Sequence, residues 1–140
     1  MAGFSLIKDA GVTEYRTYTI SSQAFTIGDL VDTSRTAGTV TPSTSTSTTY
    51  TIRGVAMQTV TTAATSLLIA LATPFQLWKV PATNTTNTAH NGQRMVLTDK
   101  ATINNTGTDS TATTGVFEQF GVNSTTVLVG RLLVGSLTTG

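Results

Sequence analysis

An all-β fold, a small barrel or sandwich of about eight short strands, is what this chain predicts, and three observations carry the prediction. Threonine supplies 33 of the 140 residues, far above its share in an average globular domain. Apolar residues come in short segments bounded by turn-formers, as in YTIRGVAM (residues 50–57) and TVLVGRLLV (residues 126–134). Charged residues make up only 11% of the chain, against about 25% in ordinary domains. Threonine is stiff at its branched Cβ and suits a pleated surface, while its hydroxyl keeps that surface wettable without charge. These features favour a β shell with uncharged polar loops and point to a structural or adhesive role more than to an enzyme.

The elements follow in order. Residues 1–12 form an extended N-terminal arm, apolar at Phe4, Leu6 and Ile7, and closed by Gly11. Residues 13–20, TEYRTYTI, are aromatic and β-branched and predict a strand. Residues 1–20 are thus arm plus first strand, and residues 21–140 form the β domain. Residues 23–31 give two short strand pieces around the Gly28-Asp29 turn. The Thr/Ser tract at residues 39–51 has too little apolar content to pack, and Pro42 reinforces its reading as a surface loop. Residues 50–60 return as a strand. Residues 65–80 have a leucine pattern open to a short helix, but Pro74 interrupts it. Two strands, residues 66–72 and 75–80, are the preferred reading. Residues 81–92 form an Asn/Thr loop, 93–98 a strand, and 102–115 a long polar loop. Strands at 116–122 and 126–137 close the domain. Several strands are apolar on both faces, residues 127–134 among them, so a second layer or a neighbouring subunit is expected to cover them.

The length suits one domain with a sizeable core. A net charge of +1 without any Lys/Arg run offers no field for a phosphate backbone, so no nucleic-acid partner is expected. Cysteine is absent, which removes disulfides and thiolate metal sites. The start of the chain lacks a basic leader with a long apolar stretch, and the longest apolar run, residues 67–72, is too short to span a bilayer. Synthesis in a cytoplasm, with no membrane partner, is the resulting expectation.

No chemistry-bearing constellation stands out. His90 is the sole histidine and sits in a polar loop, NTAHNG. Metal sites need three or four converging ligands, so no metal and no cofactor are expected. Asp29, Asp32, Asp99, Asp109 and Glu118 are scattered. Asp29 reads as a turn residue bonding nearby backbone, and Asp109 lacks the regular oxygen spacing of a calcium loop. No serine sits in a nucleophile elbow. Trp78, the only tryptophan, is expected in a core or a subunit interface.

Three stretches together resemble the capsid decoration (cement) proteins of tailed bacteriophages. The first is FTIGDLV (residues 25–31). The second is RGVAMQ (53–58), followed by LLIAL (67–71) and QLWKV (76–80). The third is GTDSTATTGVFE (107–118), followed by Gly121-Val122 and VLVGRL (127–132). The likeness spans residues 20–135; the Thr/Ser tract and the loop at residues 84–91 depart from the shortest family members. It implies a non-enzymatic virion protein on the capsid exterior that binds across major capsid protein subunits. It also implies self-association, with a homotrimer favoured over a dimer. A tail- or fibre-associated adhesion module is the alternative. The arm and first strand, with Phe4, Leu6, Ile7, Lys8, Tyr15, Arg16 and Tyr18, are expected to contact the capsid. Trp78 and Leu132 are expected at the interface between copies.

Overall fold

The computed structural model describes residues 3–33, 38–106 and 115–134. Among these, eleven strands form two antiparallel sheets that face each other as a sandwich and do not close into a barrel. The strands are β1 (Ser5–Asp9), β2 (Tyr15–Thr19), β3 (Leu30–Thr33), β4 (Val40–Pro42), β5 (Ile52–Ala56) and β6 (Ser66–Leu71). They continue with β7 (Gln76–Pro81), β8 (Arg94–Asp99), β9 (Thr102–Asn104), β10 (Phe117–Ser124) and β11 (Val127–Leu132). One sheet has six strands in the order β1-β7-β11-β10-β8-β9, and the other has five in the order β2-β6-β5-β3-β4. The leucine-rich stretch divides into β6 and β7 around Pro74, as the proline predicts.

Side chains alternate between the two faces of a strand, and the burial pattern follows that rule. In the six-stranded sheet, Trp78, Val80, Met95, Leu97, Phe117, Leu128 and Leu132 point inward and meet Leu30, Ile52, Val55 and Ala70 from the five-stranded sheet. The neighbours of these residues in the five-stranded sheet do not face solvent. Val31, Ala56, Leu67 and Ile69, one step out of phase, join Ile20, Phe25 and Val40 in a second cluster on the opposite face. The cover is made by the chain's own connections. Phe25 and Val60 exchange backbone hydrogen bonds of 3.1 and 2.9 Å, while Tyr18, Val60 and Ala64 pack along the margin.

This arrangement decides how the two-faced strands and the N-terminal arm are covered. In β11, Leu128, Gly130 and Leu132 are buried, whereas Val127, Val129 and Arg131 on its outer face are only half-buried. The twice-covered strands are β3, β5 and β6, and no second copy is needed to cover them. The arm is held by its own sheets. β1 pairs along β7, and β2 pairs with β6. Phe4 is 3% exposed, with its ring edge-on to both Trp78 and Phe117 at centroid distances of 6.4 Å. The Phe4 N–H donates to the Gly28 carbonyl at 2.8 Å. Gly3 lies against the same peptide at φ +74°, where a Cβ would overlap the Gly28 carbonyl. Burial of a phenylalanine of this kind is worth about 3–5 kcal/mol by truncation, enough to seat this segment in the sandwich.

The Thr/Ser tract also departs from a plain surface loop. Part of it forms β4 on a sheet edge, ending in Pro42, a position a proline tolerates. Ser43, Ser47 and Thr49 beyond it are buried. Their packing is polar: the Asp32 carboxylate accepts from the Ser43 hydroxyl at 2.6 Å and the Ser47 hydroxyl at 2.5 Å. The Asn/Thr loop is held the same way. Asn105, 4% exposed, accepts from the Asn84 N–H at 2.8 Å and donates to the Asn84 and Thr85 carbonyls. Gln119 donates to the Asn87 carbonyl and to the Asn91 side chain.

Candidate partner-binding surface

The outer face of the six-stranded sheet carries a transverse row of side chains built by strand register. Lys8 on β1 lies opposite Leu77 on β7. Gly130 faces Trp78, which sets Arg131, the next residue of β11, beside Leu77. Arg131 lies opposite Glu118 on β10, and Glu118 lies opposite Arg94 on β8. Lys79, two residues from Leu77 on β7, sits opposite both Ser5 and Val129 on the same face. Among the described residues, four Lys and Arg share this face with one carboxylate, Glu118.

Apolar groups stand among the charges. Phe120 is 47% exposed and Phe75 69% exposed. A shallow groove of about 250 Å³ runs between Lys8, Ala10, Pro74, Phe75, Leu77 and Phe120. Phe120 shares the outward phase of Glu118 on β10, between the buried Gln119 and a register shift that ends at Gly121. Its ring lies 5.8 Å from the Arg131 guanidinium carbon. Arg131 Nε also donates to Glu118 Oε1 at 2.7 Å. The pair stiffens one end of the patch while leaving it net positive. An exposed mixture of aromatic groups and arginine is the composition of protein-binding surfaces.

The residues expected to touch a partner are divided by the fold. Ile7, in the bulge of β1, is 45% exposed, and Lys8 belongs to the row just described. Phe4 is inside the sandwich, and Leu6 packs against the same core. Tyr15, Arg16 and Tyr18 are on β2, in the other sheet. Arg16 Nη2 lies 3.3 Å from Glu14 Oε1, and the Tyr18 hydroxyl accepts from Arg53 Nε at 2.8 Å. Trp78 and Leu132 are both fully buried within their own chain, so neither presents surface to another copy. Phe75, Leu77, Lys79, Arg94, Phe120 and Arg131 are the members the sequence reading missed. The alternation Phe117-in, Glu118-out, Gln119-in, Phe120-out was available in the sequence, but the strand pairing that brings Phe120 beside Arg131 was not.

The scattered titratable groups have local duties. Asp29 is 2% exposed; its carboxylate accepts from the Thr26 N–H at 2.8 Å, as a turn residue should, and also meets Lys100 Nζ at 3.3 Å. Asp9 accepts from the Gly11 N–H at 2.9 Å, the Thr13 hydroxyl at 2.9 Å and Gln76 Nε2 at 3.1 Å. These bonds, the Gly11 N–H foremost, hold its carboxyl below the ordinary carboxylate value against a small opposing effect of burial. His90 ends a single 3₁₀ turn, Thr88–His90. Among the described residues no three of His, Asp and Glu converge as a metal-ligating group, and Asp109 lies outside the described residues. A scan of protein-family models finds no family that matches this chain, and a search of curated proteins finds no match.

Proposed function

We propose that this chain is a structural protein that lies flat on a larger protein assembly, with the outer face of its six-stranded sheet as the docking surface. The observation that carries the reading is the gathering of Lys8, Lys79, Arg94 and Arg131 around Phe75, Leu77 and Phe120 in a charge-poor chain. A partner with acidic groups around apolar pockets fits such a face, because opposite potentials steer the encounter and aromatic burial holds the complex. Following the resemblance of residues 20–135 to decoration proteins, we take the assembly to be a bacteriophage head and the partner its major capsid protein. The protein is made in the host cytoplasm and carried on the capsid exterior. Added contact area across joints between shell subunits resists the pressure of packaged DNA, a task met by a rigid sandwich without catalysis.

The test is co-sedimentation of the purified protein with heads that lack it. Wild type pellets with heads, more weakly as salt rises, because surface charges are screened. Phe75→Asp with Phe120→Asp, or Lys79→Glu with Lys8→Glu, cuts binding at least tenfold, a loss of about 1.4 kcal/mol or more. Unchanged binding by both double variants would move the docking surface elsewhere, and no binding by wild type would end the capsid reading.

A further inference from the structure

Each sheet has two outer strands, and their free edges are not treated alike. β1 is broken by a bulge between Leu6 and Lys8, and the Phe4 N–H ahead of it is taken by Gly28. β9 has three residues, and Thr83 donates to its Ile103 carbonyl from the open side. β4 also has three residues and ends in Pro42. Bulges, shortness, proline and cover are the devices that keep sheet edges from pairing with other chains. β2 has no bulge, proline or three-residue brevity, and among the described residues its only cover is a single bridge at Thr19. Its five residues match β6 one for one, from Tyr15 opposite Ala70 to Thr19 opposite Ser66, without a register shift.

The hydrogen-bond phase identifies the open groups. The Glu14 carbonyl accepts from the Leu71 N–H at 2.8 Å, and the Ile20 N–H donates to Thr65 at 3.0 Å. Backbone groups alternate in direction along an antiparallel strand, so even-numbered residues of β2 address β6. Tyr15, Thr17 and Thr19 turn their N–H and C=O away from it. Thr19 meets Thr39 in an isolated bridge. Tyr15 and Thr17 are exposed, and neither has a second backbone partner among the described residues.

We propose that β2 is a homodimer edge: it pairs antiparallel with β2 of a second copy, joining two five-stranded sheets across a two-fold axis at Tyr15. Only odd-numbered residues can form the hydrogen-bonded pairs, which leaves three central registers. Tyr15 opposite Thr17 would place Arg16 against Arg16. Thr17 opposite Thr17 would bring Tyr15 onto Thr19, whose edge Thr39 already occupies. Tyr15 opposite Tyr15 places Glu14 of each chain opposite Arg16 of the other. These are non-hydrogen-bonded positions, where side chains approach closest and opposite charges stabilise the pair. Glu14 and Arg16 also meet within one chain at 3.3 Å, so the four side chains close into a ring of alternating sign. The same symmetry requires two copies, in place of the trimer that the resemblance implies.

Analytical ultracentrifugation tests this. Wild type sediments at twice the 14.6 kDa chain mass and dissociates on dilution. Glu14→Arg alone and Arg16→Glu alone each weaken dimerisation at least tenfold, about 1.4 kcal/mol. An equimolar mixture of the two single variants restores it, because each arginine then faces a glutamate. Thr17→Pro abolishes the dimer while keeping the melting temperature, since its lost N–H points away from β6. The chain has no cysteine, so Tyr15→Cys gives a clean reporter. Cα atoms about 5.5 Å apart at a hydrogen-bonded pair suit a disulfide, and oxidation crosslinks the Tyr15→Cys variant but not Thr17→Cys. A monomer at the highest soluble concentration, a trimer, or single charge variants that dimerise like wild type would each overturn the proposal. None of these outcomes touches the docking surface on the other sheet, which the head-binding assay reads separately.

Discussion

The two sheets of this sandwich spend the same kind of residues differently. The five-stranded sheet is apolar on both faces, and the connections carrying Ile20, Phe25, Val60 and Ala64 fold back to cover its outer side. The six-stranded sheet buries only its inner face and leaves outside a mixed field of Lys8, Lys79, Arg131, Phe75 and Phe120. A strand apolar on both faces is therefore no sign of a missing subunit in this chain; its cover comes from within. The surface left for a partner is the one whose strands alternate, because alternation spares one face from the core and frees its residues for contact.

The largest effect expected from breaking this contrast is at Phe25. It is 2% exposed and central to the outer cover of the five-stranded sheet, so Phe25→Ala should cost about 3–5 kcal/mol in chemical denaturation. The variant should also bind a hydrophobic dye, reporting an uncovered face. A loss below about 1 kcal/mol, far under the cost of emptying a core site, would mean that the loops merely rest on the sheet. Next comes the polar packing of the Thr/Ser tract. Asp32→Ala leaves the Ser43 and Ser47 hydroxyls without their shared acceptor and should cost about 1.5–3 kcal/mol, the range for hydrogen bonds to charged groups. If the tract were only a surface loop, the melting curve would not move.

Smaller effects are expected at the end of β1. The Asp9 carboxyl is held below its ordinary value, so its ionised form is favoured in the folded chain. Its contribution is present above the unfolded value of about 4 and fades as pH falls through the lower folded value. Asp9→Asn should therefore melt lower than wild type at neutral pH, and the gap should close in acid. A gap that widens on acidification would reverse the sign. The smallest effect on stability belongs to Phe120. Phe120→Ala should change unfolding free energy by about 0.5 kcal/mol or less, as at other exposed sites, against about 3–5 kcal/mol for Phe117→Ala three residues earlier. Equal losses at the two phenylalanines would place Phe120 in the core and remove the distinction between the faces.

Much of the strand content was legible because it rests on local rules. Threonine and β-branched density marked the strands, Pro74 split the leucine stretch into β6 and β7, and Asp29 after Gly28 marked a turn. The candidate surface was legible only in fragments. Lys8 and Ile7 could be singled out, but Arg131, Leu77 and Phe120 join them through pairings between strands far apart in the chain. The same blindness placed Trp78 and Leu132 at an interface: an apolar strand residue carries no local mark of whether its cover is its own core or another copy.

What the sequence by itself determined is the class of fold, the division into short strands, and the scarcity of charge, all set by side-chain shape, backbone preference and composition within a few residues. Tertiary structure alone decided which face of each sheet is covered, that Phe4 is core, and that Ser43 and Ser47 pack against Asp32. It also decided that, among the described residues, β2 keeps its edge open at Tyr15 and Thr17 while β1, β4 and β9 do not. Those outcomes depend on which distant segment arrives next to a given strand, and a one-residue change of register or a single bulge inverts them.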